Sequence, residues 1–228
     1  KRLAQSASRL NTSSEAIPIL HSNREVFRLS HTLRHMTQQL LNANEDMQEQ
    51  VRLRTLELEV ANTELERQAS TDLLTQLQNR RGFENRAQLA LALARRSGRP
   101  LSVMSLDVDF FKRINDQYGH DIGDRVLTKF AAVLCQRTRQ TDIVARFGGE
   151  EFVILLPDTD ALAAMAMAHD LLRTVERTDM PSVGHITASA GVSSLRNQTA
   201  ADGLPEMIKR SDEALYEAKH SGRNRVSY

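Results

Sequence analysis

A pair of glycines between two apolar runs is the feature that most constrains how this chain folds. Gly148 and Gly149 separate the apolar residues 143–145 from the apolar residues 152–156. Glycine has no Cβ atom and adopts positive φ angles without steric cost, so the pair lets the chain reverse tightly and lets a ligand approach the backbone. The pattern therefore predicts a β-hairpin whose tip is open to a ligand.

Two carboxylates, Glu150 and Glu151, follow directly at the predicted tip. Adjacent carboxylates repel each other unless a cation or a proton relieves the charge, so the motif favours a metal and phosphate site over a solvated turn. Short Gly-Gly-acid turns also occur without a ligand, and this motif alone leaves both interpretations open.

A second acidic cluster follows the apolar run 101–106, which has the composition of a buried strand. Asp107 and Asp109 lie two residues apart, so their side chains share a face of an extended chain. Acids at a strand end also cap a following helix, which is the alternative interpretation. Carboxylates from a strand end and a neighbouring hairpin tip are a common way to hold Mg²⁺ while leaving ligand positions for phosphates. We therefore expect the two acidic clusters to meet.

Four motifs in a fixed order connect this pattern to a known family. They are Asp72-x-Leu74-Thr75-x-Leu77-x-Asn79-Arg80-Arg81, then Asp107-Val108-Asp109-Phe110-Phe111-Lys112-x-x-Asn115-Asp116-x-x-Gly119-His120-x-x-Gly123-Asp124, then Arg146-Phe147-Gly148-Gly149-Glu150-Glu151-Phe152, and finally Tyr216-x-Ala218-Lys219-x-x-Gly222-Arg223-Asn224. In this combination the segment 70–228 resembles the GGDEF family of diguanylate cyclases, in its GGEEF variant. The resemblance implies the palm-like fold that this family shares with adenylyl cyclases and polymerases.

The periodicity of apolar residues agrees with an α+β fold. It predicts helices at 82–97, 121–138, 159–178 and 204–220, strands at 101–108, 185–193 and 224–228, and a hairpin at 142–156. Helices that interleave with a hairpin and further strands form a mainly antiparallel sheet flanked by helices. The family resemblance implies that this arrangement is nucleotidyl-cyclase-like.

The resemblance also implies a reaction and the residues that perform it. Two GTP molecules condense into cyclic di-GMP and two pyrophosphates, and each step needs a 3′-hydroxyl to attack an α-phosphate in line with the leaving group. By motif position, the metal ligands are Asp107, the backbone carbonyl of Val108 and Glu150. Glu151 is then a further metal ligand or the base that activates the hydroxyl. Two Mg²⁺ ions per active site are implied, with Mn²⁺ as the alternative metal.

The triphosphate is expected to bind the backbone N–H groups of Phe110 and Phe111 and the side chains of Lys112, Lys219 and Arg223. Successive N–H groups on a turn form an anion-binding nest, and the basic side chains neutralise phosphate charge. Without the motif match, Lys219 and Arg223 would be interpreted as basic residues that complement the dipole at a helix C-terminus.

The guanine base is expected to bind Asn115 and Asp124, which occupy the guanine-reading positions of the family. An aspartate accepts hydrogen bonds from guanine N1–H and N2–H, and an asparagine amide serves O6 or N3. The alternatives are an ordinary loop residue at Asn115 and a first-turn acid at Asp124.

A product-inhibition site is implied by Arg139 and Asp142, which match the RxxD motif of the family at its fixed offset from the hairpin. In this motif the arginine pairs with a product phosphate or a guanine edge, and the aspartate binds guanine. Some members add an arginine from the following helix, and its position falls near Asp170 here. The resemblance therefore implies feedback by cyclic di-GMP but not its strength.

One active site holds one GTP, whereas the product contains two guanylyl units. Two domains must therefore face each other with two-fold symmetry, which implies an active homodimer. Two alternatives belong to other functional classes: a degenerate domain that acts as a receptor for GTP or cyclic di-GMP, and a dimerising scaffold with a vestigial site. The complete set of site residues favours the cyclase.

The residues before position 70 follow a seven-residue apolar repeat with one offset of four. The repeat positions are Leu33, Leu40, Met47, Val51, Leu58 and Leu65. Such heptads predict a parallel dimeric coiled coil, and the offset is a stutter. A competing seam at Leu53, Leu56 and Val60 predicts a coiled coil of marginal stability with two possible registers. Marginal stability suits a helix that transmits a signal, but weak packing is equally a property of a simple spacer.

The start of the chain contains Leu3-Ala4-x-x-Ala7-x-x-Leu10, a connector with Pro18, and Glu25-x-x-x-Leu29. This pattern resembles the back part of a HAMP relay module. The HAMP resemblance implies transmembrane helices before Lys1 in the intact protein, with this part in the cytoplasm at the bacterial inner membrane. We expect a partial HAMP-like helical module at 1–41, a signalling coiled-coil helix at 42–70 and a GGDEF diguanylate cyclase domain at 71–228. The chain itself has no apolar run near the roughly 18 residues of a membrane helix.

Composition adds three expectations. The 30 basic and 29 acidic residues give a net charge of +1, so nothing indicates a nucleic-acid partner. Cys135 is the only cysteine and is expected to be a buried thiol. His31 and His35 lie four residues apart on a helix, but without a third ligand a solvated helix face is the preferred interpretation over a metal pair.

Overall fold

The structure is a computed structural model and describes residues 24–180, 182–196 and 202–228. Its contacts divide the chain into two units, residues 1–64 and residues 65–228, which we describe separately. The HAMP-like connector with Pro18 lies outside the described residues.

The described part of the first unit belongs to one helix, α1 (Arg24–Ser70), which is 47 residues long. The heptad residues Leu33, Leu40, Met47, Val51 and Leu58 are all exposed on it. Exposed apolar residues at heptad spacing are the positions that pair in a coiled coil, so the helix agrees with the predicted coiled-coil region. None of the described helices combines the length and the apolar character needed to cross a bilayer.

The second unit is a five-stranded sheet with helices on both faces. In chain order its elements are α2 (Arg80–Ser97), β1 (Leu101–Val108), α3 (Phe111–Tyr118), α4 (His120–Arg137), β2 (Ile143–Gly148), β3 (Glu151–Pro157), α5 (Ala161–Arg177), β4 (Ala188–Ser194), α6 (Leu204–His220) and β5 (Val226–Ser227). The strand order is β2-β3-β1-β4-β5, and every neighbouring pair is antiparallel except β4 and β5. The predicted α+β fold is confirmed.

The central strand β1 divides its side chains between two hydrophobic cores. Met104, Leu106 and Val108 face the core shared with α3, α4 and α5. Leu101 and Val103 face the core shared with α2 and α6. All residues of β1 are buried because helices cover both faces of the sheet. Since side chains alternate along a strand, Asp107 continues the second face and lies on the α6 side.

Helix α6 lies directly against β4 because Gly191 has no side chain. A Cβ atom at Gly191 would overlap the backbone of Ser211 and Leu215 in α6. Glycine in a strand interior commonly marks such a close approach of another backbone segment. This contact sets how near the C-terminal turns of α6 come to the end of β1.

Helix α3 is the element that the apolar periodicity does not predict. It is eight residues long and begins after Phe110, whose backbone is left-handed at φ 57° and ψ 25°. Asn115 and Asp116 favour turns, so a sequence pattern of this length indicates a loop. Burial of Phe111 and Ile114 against the core stabilises the helix instead.

Two smaller predictions are wrong. Cys135 is exposed rather than buried, because it is one residue beyond Leu134 in α4 and so is turned about 100° away from it. The last strand is Val226–Ser227 rather than 224–228, since Arg223 and Asn224 have positive φ and do not extend.

Candidate active site

Asp107 and Glu151 are direct partners in the antiparallel register of β1 and β3. Like charges directly opposite each other destabilise a sheet, so this pair requires a compensating positive charge. Part of it comes from Lys219 in α6, whose Nζ atom lies 2.7 Å from Oδ2 of Asp107. The two acidic clusters therefore meet, as expected from the sequence, and they meet beside a lysine.

A cleft of about 250 Å³ surrounds this pair and is lined by Ser105, Asp107, Glu151, Asp212, Tyr216 and Lys219, among others. A larger groove of about 1270 Å³ lies between α2 and α6 and shares Asp212 and Tyr216 with it. Leu91, Leu204 and Ile208 contribute an apolar lining to the larger groove. The smaller cleft contains the acidic pair, so it is the candidate for chemistry.

Burial raises the pKa of Asp107 to about 6 from the ordinary 3.8. Lys219 lowers this pKa through a hydrogen bond and charge attraction, whereas the charges of Glu150 and Glu151 raise it further. The side chain of Asp107 is 7% exposed. A buried carboxylate that faces two others binds a proton or a cation more readily than an ordinary aspartate.

The hairpin tip has the backbone that its glycines permit, with φ 154° at Gly148 and 48° at Gly149. Arg146 supports the tip, because its Nε donates to the carbonyl of Gly149 at 2.9 Å. The same guanidinium donates from Nη1 to both carboxylate oxygens of Asp72, at 3.1 and 3.3 Å. The sequence motifs contain Asp72 and Arg146 but do not reveal that they bind each other, since they are far apart in the chain.

The residues expected at the triphosphate lie where β1 passes into α3. Phe110 is the N-cap of α3, so the N–H group of Phe111 stands at the start of the first helical turn, where no helical carbonyl is available to it. The guanidinium carbon of Arg223 lies 4.5 Å from the centre of the Phe110 ring. Lys112 is exposed on the first turn of α3. Phe110 and Lys112 thus belong to one short segment that follows Asp107 in the chain, and Arg223 lies against this segment.

Asp109 does not join Asp107 at the acidic pair. It is 4% exposed and accepts hydrogen bonds from Thr187 Oγ1 at 2.7 Å, Ser189 Oγ at 2.7 Å and the backbone N–H of Asn224 at 3.1 Å. The expectation that both aspartates lie together on an extended strand is wrong, because β1 ends at Val108. The sequence carries no signal for these long-range partners of Asp109.

Asn115 lies against the position of Gly123 in α4. A Cβ atom at Gly123 would overlap Oδ1 of Asn115, and this buried oxygen has no hydrogen-bond partner among the described residues. Asp124 follows Gly123 and is exposed. A buried acceptor without a partner costs free energy unless a ligand supplies a donor, so Asn115 has the chemistry of a binding residue.

The donor set near Asp107 fits a divalent cation. Asp107, Glu150, Glu151 and the carbonyl of Val108 offer only oxygen atoms, which are the ligands that Mg²⁺ prefers. Within the described residues, however, no three acidic, histidine or cysteine side chains form a ready metal site, and Lys219 binds Asp107 instead. The carboxylates would need to reorient around an ion.

Arg139 and Asp142 form a tight turn before β2. The backbone N–H of Arg139 donates to Oδ2 of Asp142 at 2.7 Å, and Oδ1 of Asp142 is buried without a partner among the described residues. Burial raises the pKa of Asp142, while hydrogen bonds from Arg139 and Thr141 and the charge of Arg139 lower it.

The position near which some family members carry a further arginine is Asp170 on α5. Asp170 forms ion pairs with Arg137 and Arg173 at 3.6 and 3.8 Å.

Comparison with known proteins gives matches over the second unit. The family model for the diguanylate cyclase GGDEF domain matches residues 69–225. The response regulator PleD of Caulobacter vibrioides is 44% identical over 172 residues, which cover 69% of this chain and 36% of PleD. Diguanylate cyclase A of Treponema denticola is 38% identical over 174 residues, which cover 74% of this chain and 46% of that protein. The chain thus spans less than half the length of these relatives.

Solved structures match as well. The coiled coil and GGDEF domain of DgcB from Caulobacter crescentus, in complex with c-di-GMP, has a TM-score of 0.70 and 30% identity, covering 79% of this chain and 98% of that one. The active GGEEF domain of a diguanylate cyclase from Vibrio cholerae has a TM-score of 0.62 and 39% identity, covering 67% of this chain and 97% of that one.

Proposed function

Since the chain belongs to the GGDEF family of diguanylate cyclases, we propose that it condenses two GTP molecules into cyclic di-GMP and two pyrophosphates. The observation that carries the proposal is the acidic pair of Asp107 and Glu151, opposite each other in the sheet and beside Lys219. This arrangement combines a candidate base, cation ligands and a phosphate-binding lysine in one cleft.

In each half-reaction the 3′-oxygen of one GTP forms a bond to the α-phosphorus of the other. The bond from that phosphorus to the oxygen bridging to the β-phosphate breaks, and pyrophosphate leaves. Glu151 accepts the proton of the attacking 3′-hydroxyl, and Lys112, Lys219 and Arg223 stabilise the charge that develops on the leaving pyrophosphate. Two such transfers, one from each GTP, close the ring.

The oxygen donors proposed to hold two Mg²⁺ ions, or Mn²⁺, are Asp107, the carbonyl of Val108, Glu150 and Glu151. Bound ions would supply positive charge that stabilises phosphoryl transfer. The ion pair of Lys219 with Asp107 supports the assignment, because it identifies Asp107 as a buried carboxylate that retains a positive partner. With a cation bound at Asp107, Lys219 would be available to contact phosphate.

GTP is proposed to bind with its phosphates at the N–H groups of Phe110 and Phe111 and its base at Asn115 and Asp124. The buried, unpartnered Oδ1 of Asn115 supports the base position, since a guanine amino group supplies the missing donor. Asp124 accepts from the Watson–Crick edge of guanine, which adenine does not match. The site should therefore prefer GTP to ATP.

The active form is proposed to be a symmetric homodimer joined through α1, with cyclase domains from 71 to 228 facing each other. The exposed heptad residues of α1 support this pairing. The coiled-coil segment 42–70, and a HAMP-like module at 1–41, would transmit a signal, and membrane segments would lie before Lys1, with this part in the cytoplasm. Pairing raises the local concentration of the two domains to the millimolar range.

Cyclic di-GMP is proposed to inhibit the enzyme at Arg139 and Asp142. The buried Oδ1 of Asp142 without a partner supports this assignment, because guanine N–H groups supply donors. Arg139→Ala should allow synthesis to continue at product concentrations that stop the unmodified chain. Identical inhibition curves would contradict the assignment.

The test of the main proposal is to incubate the purified chain with GTP and Mg²⁺ and to identify the products by mass. Cyclic di-GMP and pyrophosphate in a 1:2 ratio are expected. A chain that binds GTP or cyclic di-GMP tightly without forming product would be a receptor, and one that only dimerises would be a scaffold.

A further inference from the structure

The loop between α6 and β5 has an unusual backbone. Three successive residues have positive φ: Gly222 at 116°, Arg223 at 61° and Asn224 at 46°. Glycine adopts such angles freely and asparagine tolerates them, but arginine pays a steric cost for them. Conformations of this kind persist only where surrounding contacts impose them, and they are frequent at functional sites.

Asp109 supplies a central contact of this loop. Its Oδ2 accepts the backbone N–H of Asn224 at 3.1 Å and the hydroxyl of Thr187 at 2.7 Å, and its Oδ1 accepts the hydroxyl of Ser189 at 2.7 Å. The described residues contain no ion pair of Asp109. Its carboxylate is instead stabilised by hydrogen bonds from three neutral donors, which also fix the direction of both oxygens.

The same aspartate is anchored to the phosphate-binding segment. The backbone N–H of Asp109 donates to the carbonyl of Thr187 at 2.9 Å, and Phe110 is the next residue of the chain. On the other side of the loop, Arg223 lies with its guanidinium carbon 4.5 Å from the centre of the Phe110 ring. One carboxylate thus joins the backbone that carries Arg223 to the backbone that carries Phe110.

We propose that Asp109 is a positioning residue that holds Arg223 against Phe110 and so fixes a cation at the triphosphate. This inference rests on the proposed function, in which Arg223 contacts the phosphates of GTP. A role as metal ligand is disfavoured, because Asp109 is buried and its two oxygens already accept three hydrogen bonds from the protein.

The test compares Asp109→Asn with the unmodified chain in binding to the α,β-methylene analogue of GTP, whose scissile bond cannot break, and to GMP. The asparagine amide keeps the shape but replaces one acceptor oxygen with a donor. We expect affinity for the analogue to fall about tenfold, the size of one lost charge-assisted hydrogen bond, while affinity for GMP stays within about twofold. In turnover with GTP, the same variant should raise KM more than it lowers kcat.

A double-mutant cycle then asks whether Asp109 acts through Arg223. If it does, Asp109→Asn should weaken analogue binding much less in an Arg223→Ala background than in the unmodified chain. Ser189→Ala and Thr187→Val each remove one donor to Asp109 and should produce smaller changes in the same direction. These milder variants keep the test usable if Asp109→Asn folds poorly.

Ser193→Ala is the matched control. Ser193 is another buried serine of β4, and its hydroxyl donates to the carbonyl of Met207 at 2.6 Å, away from the loop. Its loss should lower stability without changing the ratio of analogue to GMP affinity.

Three results would overturn the inference: unchanged analogue binding in Asp109→Asn, an equal loss for analogue and GMP, or additive losses with Arg223→Ala. Failure of the unmodified chain to bind the analogue or to make cyclic di-GMP would instead contradict the proposed function.

Discussion

Asp72 and Arg146 bind each other across 74 residues of sequence, with Nη1 of Arg146 3.1 and 3.3 Å from the two oxygens of Asp72. Asp72 lies two residues after the end of α1, and Arg146 also supports the carbonyl of Gly149 at the hairpin tip. One guanidinium therefore joins the entry of the cyclase domain to the segment that carries Glu150 and Glu151.

Arg146→Lys should lower cyclic di-GMP synthesis about tenfold and destabilise the fold by about 1 to 3 kcal/mol, because an ammonium cannot make both contacts in the geometry of a guanidinium. Initial rates and urea unfolding measure the two effects. Arg99→Lys is the matched control, since the pair Arg99–Asp158 at 2.9 Å is exposed and should contribute little. Equal effects in both variants would contradict the role of Arg146.

Asp107→Ala and Glu151→Ala should each reduce synthesis by orders of magnitude while the fold persists, because both carboxylates belong to the proposed metal and hydroxyl site. Product formation is measured on variants whose circular dichroism matches that of the unmodified chain. A variant that keeps most of its activity would remove that carboxylate from the mechanism.

The raised pKa of Asp107 predicts a pH dependence of stability. The folded pKa is about 6 against an ordinary value of 3.8, so between about pH 4 and pH 6 the folded state holds a proton that the unfolded state has lost. Stability contributed by this group therefore falls as pH rises through that window, by about 2 to 3 kcal/mol in total. Asp107→Asn should lack this contribution. Urea unfolding at pH 4.5 and pH 7 measures how the free energy of unfolding changes with pH. An equal change in Asp107→Asn and in the unmodified chain would contradict the pKa shift.

Gly123→Ala should impair GTP binding, because the added methyl group overlaps Oδ1 of Asn115 and forces that side chain to move. We expect about a tenfold higher KM and a smaller preference for GTP over ATP, as for loss of a buried polar contact.

Asp124→Ala should weaken GTP binding by about 1 to 3 kcal/mol, because the Watson–Crick edge of guanine loses its acceptor. Unchanged binding in both variants, or equal affinity of the unmodified chain for ATP and GTP, would exclude this base pocket.

Insertions into α1 test whether the helix controls activity. Four residues inserted after Ala61 turn the following segment by about 40° relative to the helical repeat, whereas seven nearly restore the phase. The four-residue insertion should change synthesis strongly while the chain remains a dimer by light scattering, and the seven-residue insertion should change it much less. Activity that does not depend on insertion length would mean that α1 is a passive tether.

The hairpin, the central strand and the main helices could be predicted because their signals are local. Gly148 and Gly149 specify a reversal by their own backbone freedom, and β1 is apolar enough to be buried on both faces. Helix α3 could not be predicted, since it starts from a left-handed Phe110 and depends on packing of Phe111 and Ile114.

The sequence predicts the residues of the candidate site and the meeting of its two acidic clusters, but not the individual contacts within it. The motifs contain Asp107, Glu151 and Lys219, yet only the register of β1 with β3 and the approach of α6 bring the three together. Asp109 resembles Asp107 in the motif but accepts hydrogen bonds from the hydroxyls of Thr187, just before β4, and Ser189 in β4, because β1 ends between the two aspartates. Pairings that depend on the sheet have no local signal.

The contact of Gly191 with α6 affects how loss-of-activity data should be interpreted. Lys219 reaches Asp107 from a helix that rests on a bare patch of β4, so a methyl group at Gly191 would lift the helix and carry the lysine with it. A screen for inactive variants would then select position 191 alongside the acidic pair, although its backbone touches no substrate. Inactivity there would report the spacing between α6 and β4, and no shorter side chain on α6 would restore it, because the overlap is with the backbone of the helix.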